Sequence, residues 1–274
     1  MTDLYAVIGN PIGHTKSPLI HAMFAEATGQ DLAYVAIEGP LGGFAGRVDQ
    51  FRRDGGRGLN VTVPFKLDAC AYATDLSERA RLAGAANAIK FEGARAYAEN
   101  FDGLGLVNDI ERNLGYRIAG KRILMLGAGG AARGAILPLL AEKPAALAIA
   151  NRTPEKARAL AEQFSACGDI VGMGYGDLAG AAPFDCVVNA TSASLSGDMP
   201  SIPPTCFAGG CLAYEMVYGK GLTPFLRLAR SAGAVRLADG VGMLVEQAAK
   251  AFAWWRGVRP DTAPVIERLT IPLN

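Results

Sequence analysis

Two segments of this chain hold the side chains best suited to chemistry. The first is N-V-T-V-P-F-K, Asn60 to Lys66, in which a strand-like run ends at a proline. Proline suits the first position of a helix, because the N–H it lacks would have no intrahelical partner there. Lys66 is therefore predicted in the first turn of a helix leaving a strand, where the helix dipole disfavours a positive charge. A lysine so placed can exchange a proton with an alcohol or a ketone. Asp102 is the carboxylate expected to orient its ammonium. Neutral hydrogen-bonding residues stand at the ends of other strand-like runs: Asn10, Thr15, Ser17, Asn60, Thr62, Asn87 and Asn100. In an open parallel sheet, residues just beyond the carboxyl ends of strands converge on one crevice. Together these groups suit a small polyhydroxylated molecule, although each alone would serve equally as a turn or cap residue.

The second segment is K-R-I-L-M-L-G-A-G-G-A-A-R, Lys121 to Arg133. Gly127, Ala128, Gly129, Gly130, Ala131 and Ala132 fit G-x-G-x-x-G/A, with a β-rich run before them and a helix-forming run after. Gly127 permits a tight turn, Gly129 lets the backbone approach a pyrophosphate, and Ala132 allows close helix–strand packing. The helix start then offers N–H groups and a positive dipole end to phosphates. A nucleotide-free tight turn has the same pattern. At the end of the next strand-like run, an NAD site usually carries an acidic residue. Here stand Asn151, Arg152 and Thr153, with Lys156 one turn further on. A guanidinium pairs with a ribose 2′-phosphate that a carboxylate would repel, so NADP is favoured over NAD without NAD being excluded.

Positioning these groups calls for alternating strands and helices. The pattern predicts a strand over Leu4 to Gly9, a helix from about Pro18 to Thr28 and a strand over Leu32 to Ile37. A helical stretch around Gly43 to Arg53 and a strand ending L-N-V-T-V follow. Asp75-Leu-Ser-Glu is expected to open a helix with a capping pattern. Strands are expected near Asn87 to Phe91 and Tyr97 to Glu99, and a helix from Asp102 to about Leu114. The expected fold is α/β in two domains: a mixed or parallel N-terminal domain, then a doubly wound dinucleotide-binding domain of the Rossmann type.

Composition narrows the function. The 27 basic and 26 acidic residues among 274 leave a net charge of +1, without the electrostatic footprint of a general nucleic-acid binder. No apolar run approaches the length of a membrane span. Asp3, and no Lys or Arg before Lys16, are wrong for a secretory or organellar leader, so a cytoplasmic protein is expected. Five cysteines without C-x-x-C spacing predict buried reduced thiols, and two histidines without a supporting cluster predict no metal site.

The chain resembles the shikimate dehydrogenase family through nearly its whole length. The matching pieces are G-N-P-I-G-H-T-K-S-P-L-I-H (Gly9 to His21), N-V-T-V-P-F-K, G-A-A-N-A-I (Gly84 to Ile89), N-F-D-G (Asn100 to Gly103), G-A-G-G-A-A-R, N-R-T, N-A-T-S (Asn189 to Ser192) and A-D-G-V-G-M-L-V-E-Q-A (Ala238 to Ala248). The resemblance implies reversible reduction of 3-dehydroshikimate to shikimate with NADPH, in the biosynthesis of aromatic amino-acid precursors. It implies a substrate domain over residues 1–104, a Rossmann domain over 105–239, and helices of 240–274 returning to the first domain. Lys66 and Asp102 match the family's catalytic pair. Thr15, Ser17, Asn60, Thr62, Asn87, Phe101, Tyr218 and Gln247 fall at substrate-site positions. Gly127 to Ala132, Asn151, Arg152, Thr153, Lys156 and Thr191 fall at cofactor positions. Nucleic acid and membrane are not expected partners, and a monomer or homodimer is.

Four positions depart from the family's usual residues: Thr15 and Glu215 replace Ser and Asp, and Ala88 and Phe101 each replace Thr. Phe101 is the largest change, an aromatic ring beside the expected catalytic aspartate that would narrow and dry the pocket. Two other functions stay open on these residues: a quinate/shikimate enzyme with different cofactor or substrate preference, and a non-catalytic sensor of NADPH or a metabolite.

Overall fold

A computed structural model describes residues 2–273 and contains two six-stranded sheets. The chain begins β1 (Asp3–Gly9), α1 (Ser17–Thr28), β2 (Leu32–Glu38), α2 (Phe44–Arg53), β3 (Gly56–Val61), α3 (Lys66–Tyr72), β4 (Asp75–Leu76), α4 (Glu78–Ala83), β5 (Ala88–Glu92), β6 (Arg95–Glu99) and α5 (Asp102–Asn108). The first sheet has the order β2-β1-β3-β5-β6-β4. It is parallel at β2–β1–β3 and β6–β4 and antiparallel at β3–β5 and β5–β6, hence mixed. The last five residues of β1 are all buried, as expected for a strand covered on both faces. Ile8, Val48, Phe51, Leu59, Phe65 and Ile89 form the centre of its core.

The second sheet is built by β7 (Arg122–Leu126), α6 (Gly130–Ala141), β8 (Ala146–Asn151), α7 (Pro154–Phe164), β9 (Ile170–Gly174), β10 (Phe184–Asn189), β11 (Phe207–Glu215), α8 (Pro224–Ser231) and β12 (Arg236–Asp239). Its order β12-β11-β10-β7-β8-β9 is parallel throughout. The chain winds outward from β7 to β9, returns to β10, and winds outward the other way. This is the doubly wound arrangement expected from the sequence, with its switch point between β7 and β10. Two helices close the chain, α9 (Val241–Arg256) and α10 (Ala263–Leu269).

The molecule divides into two compact units. One holds the chain up to Gly105 together with Val245–Glu267, the other Leu106–Leu244 with the chain from Arg268 onward. The division falls inside α9, whose later turns are fastened within the first unit. There Trp255 stacks on Tyr5 with ring centroids 4.8 Å apart and donates its indole N–H to Ile89 O at 3.1 Å. Arg256 donates to Gln30 at 2.8 Å and pairs with Asp3.

Four local expectations need correction. Pro64 is not a helical residue: a turn closed by Phe65 N–H to Thr62 O at 3.0 Å comes first, and Lys66 is the first residue of α3. The cap of α4 is Ser77, whose hydroxyl accepts the Ala80 N–H, while Asp75 stays on a strand held by the Arg95 guanidinium. The helix from Asp102 widens into a π-turn over Asp109–Asn113, where the buried Asp109 carboxylate accepts from Tyr214 at 2.7 Å and Asn113 at 2.9 Å. The five thiols are free, but only Cys186, Cys206 and Cys211 are buried; Cys70 is half-buried and Cys167 exposed.

No helix among the described residues is long and apolar enough to cross a membrane. Among them no group of His, Cys, Asp and Glu side chains gathers to hold a metal ion.

Candidate active site

In the first unit the turn after β3 delivers Lys66, and the start of α5 delivers Asp102. The two meet at 2.6 Å, Nζ donating to Oδ2, with side chains 19% and 7% exposed. Their elements are tied locally: Ala86 N–H donates to Lys66 O at 2.9 Å, fastening α3 to the segment that enters β5. The other Asp102 oxygen accepts from Asn87 Nδ2 at 2.8 Å, so both carboxylate oxygens are engaged. Asn87 is buried and held in one orientation, because its Oδ1 accepts the Phe101 N–H at 2.8 Å. Its amide nitrogen also reaches Gln247 Oε1 at 3.1 Å, bringing α9 to the cluster. Asn100 supports the same corner, accepting from Asp102 N–H at 3.1 Å and donating to Ala85 O at 2.9 Å.

A second group adjoins this one through Asn60, whose Nδ2 donates to Asn87 O at 3.2 Å. Tyr34 on β2 donates its hydroxyl to Asn60 Oδ1 at 2.7 Å. Just ahead of α1, Thr15 donates to Ser17 Oγ at 3.2 Å and accepts the Ser17 N–H at 3.3 Å. Two hydroxyls at a helix N-terminus suit an anionic group such as a carboxylate. Thr62 is half-buried just after β3, and its methyl lies under the chain at Gly9. His21 lies beneath, stacked on Tyr34 at 4.0 Å with neither ring nitrogen hydrogen-bonded among the described residues. Burial pushes its ring down to about 3, so it is neutral at ordinary pH.

Most of the residues singled out in the first unit therefore come together. Phe101 does so only through its backbone. Its ring is 5% exposed and packs with Tyr5, Ala88, Ala251 and Trp255, edge-on to Trp254 at 5.7 Å. The expected aromatic lining is thus a piece of core, drawn inward by the tryptophans of α9. Tyr34 was not anticipated; nothing in its sequence neighbourhood marks it, and its partner Asn60 lies on a different strand.

In the second unit β7 ends at Leu126, the glycine turn follows, and α6 starts at Gly130. Gly127 has φ +105, a conformation that strains any other residue, and a Cβ there would also crowd the Thr191 methyl at 3.1 Å. At Gly129 and Gly130 a Cβ would meet nothing within 4 Å. Gly129 is the N-cap and offers no side chain to the first-turn amides, leaving them available to a phosphate. Ala128 and Ala131 are half-buried beside them, and Ala132 is buried under the helix. Asn151 donates to Thr153 O at 3.0 Å, shaping the turn that presents Arg152. Arg152, Thr153 and Lys156 are exposed, and neither cation forms an ion pair with a described carboxylate. Open space over glycine, free helix-start amides and two unpaired cations at the end of β8 fit a dinucleotide with a 2′-phosphate. Thr191 hydrogen-bonds back to Asn189 Oδ1 at 2.7 Å. Tyr218 is half-buried after β11, and burial raises its phenol.

A doubly wound sheet with a glycine turn, in a chain whose other unit carries a part-buried lysine–aspartate pair, defines a nucleotide-dependent α/β oxidoreductase. Comparison with known proteins makes the class specific. Residues 7–89 match the shikimate dehydrogenase substrate-binding domain, 109–196 the shikimate/quinate 5-dehydrogenase model, and 240–270 the shikimate 5′-dehydrogenase C-terminal domain. Shikimate dehydrogenase (NADP(+)) of Nitrosospira multiformis is 57% identical over 274 residues, covering 100% of this chain and 99% of that protein. The crystal structure of an Ael1 enzyme from Pseudomonas putida is 60% identical, covers 100% of both chains and superposes with a TM-score of 0.94. The shikimate 5-dehydrogenase of Thermus thermophilus, solved with NADP(H) and shikimate, is 32% identical over 97% of this chain and 98% of that one, with a TM-score of 0.86. The chain belongs to the shikimate dehydrogenase family.

Proposed function

We propose that this chain is an NADP-dependent dehydrogenase interconverting 3-dehydroshikimate and shikimate, with Lys66 and Asp102 managing the proton. The observation that carries this reading is the 2.6 Å contact between Lys66 Nζ and Asp102 Oδ2, both oxygens of that carboxylate being held by donors. Bound NADPH supplies the hydride. As the substrate ketone is reduced, negative charge grows on its oxygen; the Lys66 ammonium donates a proton there, and the resulting amine is restored from solvent. In the reverse direction the amine receives the alcohol proton. Asp102 aims the ammonium and, through Asn87, is itself aimed. Thr15 and Ser17 are assigned to the substrate carboxylate. Asn60, Thr62, Asn87 and Gln247 are assigned to the ring hydroxyls, and Tyr218 to the edge of the site. The glycine turn with Thr191 takes the pyrophosphate side of the cofactor, and Asn151, Arg152, Thr153 and Lys156 its 2′-phosphate.

The test is initial-rate NADPH formation by the purified protein from shikimate and from quinate, repeated with NAD. Shikimate with NADP is expected to exceed each alternative by at least about tenfold in kcat/KM, a difference of about 1.4 kcal/mol in transition-state binding. Preference for quinate or NAD would favour the quinate/shikimate alternative, and cofactor binding without turnover of any cyclic hydroxy acid would favour a sensor.

A further inference from the structure

Glu215 ends β11 and is completely buried, yet four donors converge on it. Ser194 and Thr223 donate their hydroxyls to Oε2, the latter at 3.1 Å, and Asn189 donates its amide to the same oxygen at 3.1 Å. Oε1 accepts the Val217 N–H at 3.3 Å. Burial pushes this carboxyl up, against the four hydrogen bonds that pull it down. The proposed proton chemistry does not use it.

The donors identify its role. Asn189 ends β10 and Glu215 ends β11, and strand ends of a doubly wound sheet are where ligands bind. Asn189 is a two-sided relay. Its amide nitrogen is spent on Glu215, which fixes the amide's orientation and leaves Oδ1 facing the next loop. That oxygen accepts both the Thr191 N–H at 3.1 Å and the Thr191 hydroxyl at 2.7 Å. The Thr191 methyl in turn bears on the glycine turn: a Cβ placed on Gly127 would lie 3.1 Å from it and 3.3 Å from Ala190 O. Ser194 carries the same restraint further along that loop, and Val217 and Thr223 bracket the loop of Tyr218. A carboxylate accepts only, so all four donors are satisfied at once and no member can turn over without orphaning another.

We infer that Glu215 is a positioning residue for the cofactor: a buried acceptor that, through Asn189, sets Thr191 and the wall of the glycine turn. This rests on the glycine turn being the NADP site. The side chain is given no contact with the cofactor; it acts on the shape of the loops after β10 and β11.

Glu215→Gln keeps the size but turns one acceptor into a donor facing donors, so at least one of the four bonds is lost. Ser194→Ala removes one donor to the carboxylate, together with a long 3.4 Å acceptor for the Asn189 amide, and leaves the carboxylate in place. Phe225→Leu, in the core of the same unit and outside the network, serves as the control for general loosening. NADPH KM and kcat are measured with 3-dehydroshikimate saturating, NADPH Kd by fluorescence titration, and unfolding midpoints alongside. Glu215→Gln is expected to raise NADPH KM and Kd about tenfold and Ser194→Ala about threefold, with kcat changed less than KM. Glu215→Asp keeps charge and acceptors but has a shorter reach, and should fall between wild type and Glu215→Gln. Phe225→Leu should lower the midpoint without moving NADPH Kd. If Glu215→Gln does not fold, Ser194→Ala decides alone. The inference is overturned if these network variants bind NADPH within about twofold of wild type, or if Phe225→Leu weakens binding as much as they do. Wild-type protein that neither binds nor oxidises NADPH would instead overturn the cofactor site itself.

Discussion

Replacing Asp102 with asparagine tests the proton machinery at its most constrained point. The carboxylate receives Lys66 Nζ at 2.6 Å on one oxygen and Asn87 Nδ2 at 2.8 Å on the other. The replacing amide has one oxygen for these two donors, and its NH2 must face whichever loses. A charge-assisted bond in such a place contributes about 1.5–3 kcal/mol. Losing it lowers kcat/KM by roughly ten- to two-hundredfold, at about 1.4 kcal/mol per decade. Most of the loss should appear in kcat, because the aim of the ammonium matters most as charge develops on the substrate oxygen. The assay is steady-state NADPH oxidation with 3-dehydroshikimate, accompanied by thermal unfolding to confirm that the variant is folded. A folded Asp102→Asn protein with kcat within about threefold of wild type would refute the role given to this carboxylate.

Three further outcomes follow from other parts of the structure. Gly129→Ala places a methyl group in open space at φ −85, so the unfolding midpoint should stay put while NADPH KM rises about tenfold or more; an unchanged KM would mean that no phosphate approaches there. Phe101→Thr should act on stability, because the ring is core: a loss of about 3 kcal/mol by denaturant titration is expected, and a change in shikimate KM without that loss would place the ring in the pocket instead. His21 is held neutral down to about 3 against an ordinary value of 6.5, so the unfolded chain takes up a proton that the native ring refuses. Native stability therefore falls as pH drops between about 6.5 and 3, by about 1.4 kcal/mol per pH unit from this group, and unfolding curves of His21→Phe should show a correspondingly shallower acid limb. An identical acid limb in both proteins would show that His21 does not bear this linkage.

What the sequence disclosed well were features encoded locally. The glycine turn announces itself because Gly127 must adopt a positive φ and because its neighbours must leave backbone bare, and both demands are met by residue type within a few positions. Lys66 and Asp102 lie far apart in the chain, but each sits at a strand-to-helix junction, and such junctions gather at one edge of a sheet. The parallel second sheet was equally legible from its strand–helix rhythm, whereas antiparallel β5 departs from the parallel rule inside the mixed first sheet. Features set by distant partners were not legible. The direction of the Phe101 ring is decided by Trp254 and Trp255 on α9, and Tyr34 joins the site only because β2 and β3 flank β1. In the sequence Glu215 is only a departure from the family's aspartate; its significance depends on four donors brought to it by the end of β10 and the loops after β10 and β11. Even the local start of α3 was missed, because a turn at Thr62 to Phe65 and a proline-first helix share the same residues.

The proposed proton chemistry depends most on Lys66, and Lys66→Ala addresses it directly. With shikimate and NADP saturating, the variant should lose about a hundredfold or more in kcat, the usual range for removing a general acid–base group, while equilibrium titration still shows NADP bound as in wild type. A kcat equal to that of wild type would contradict it.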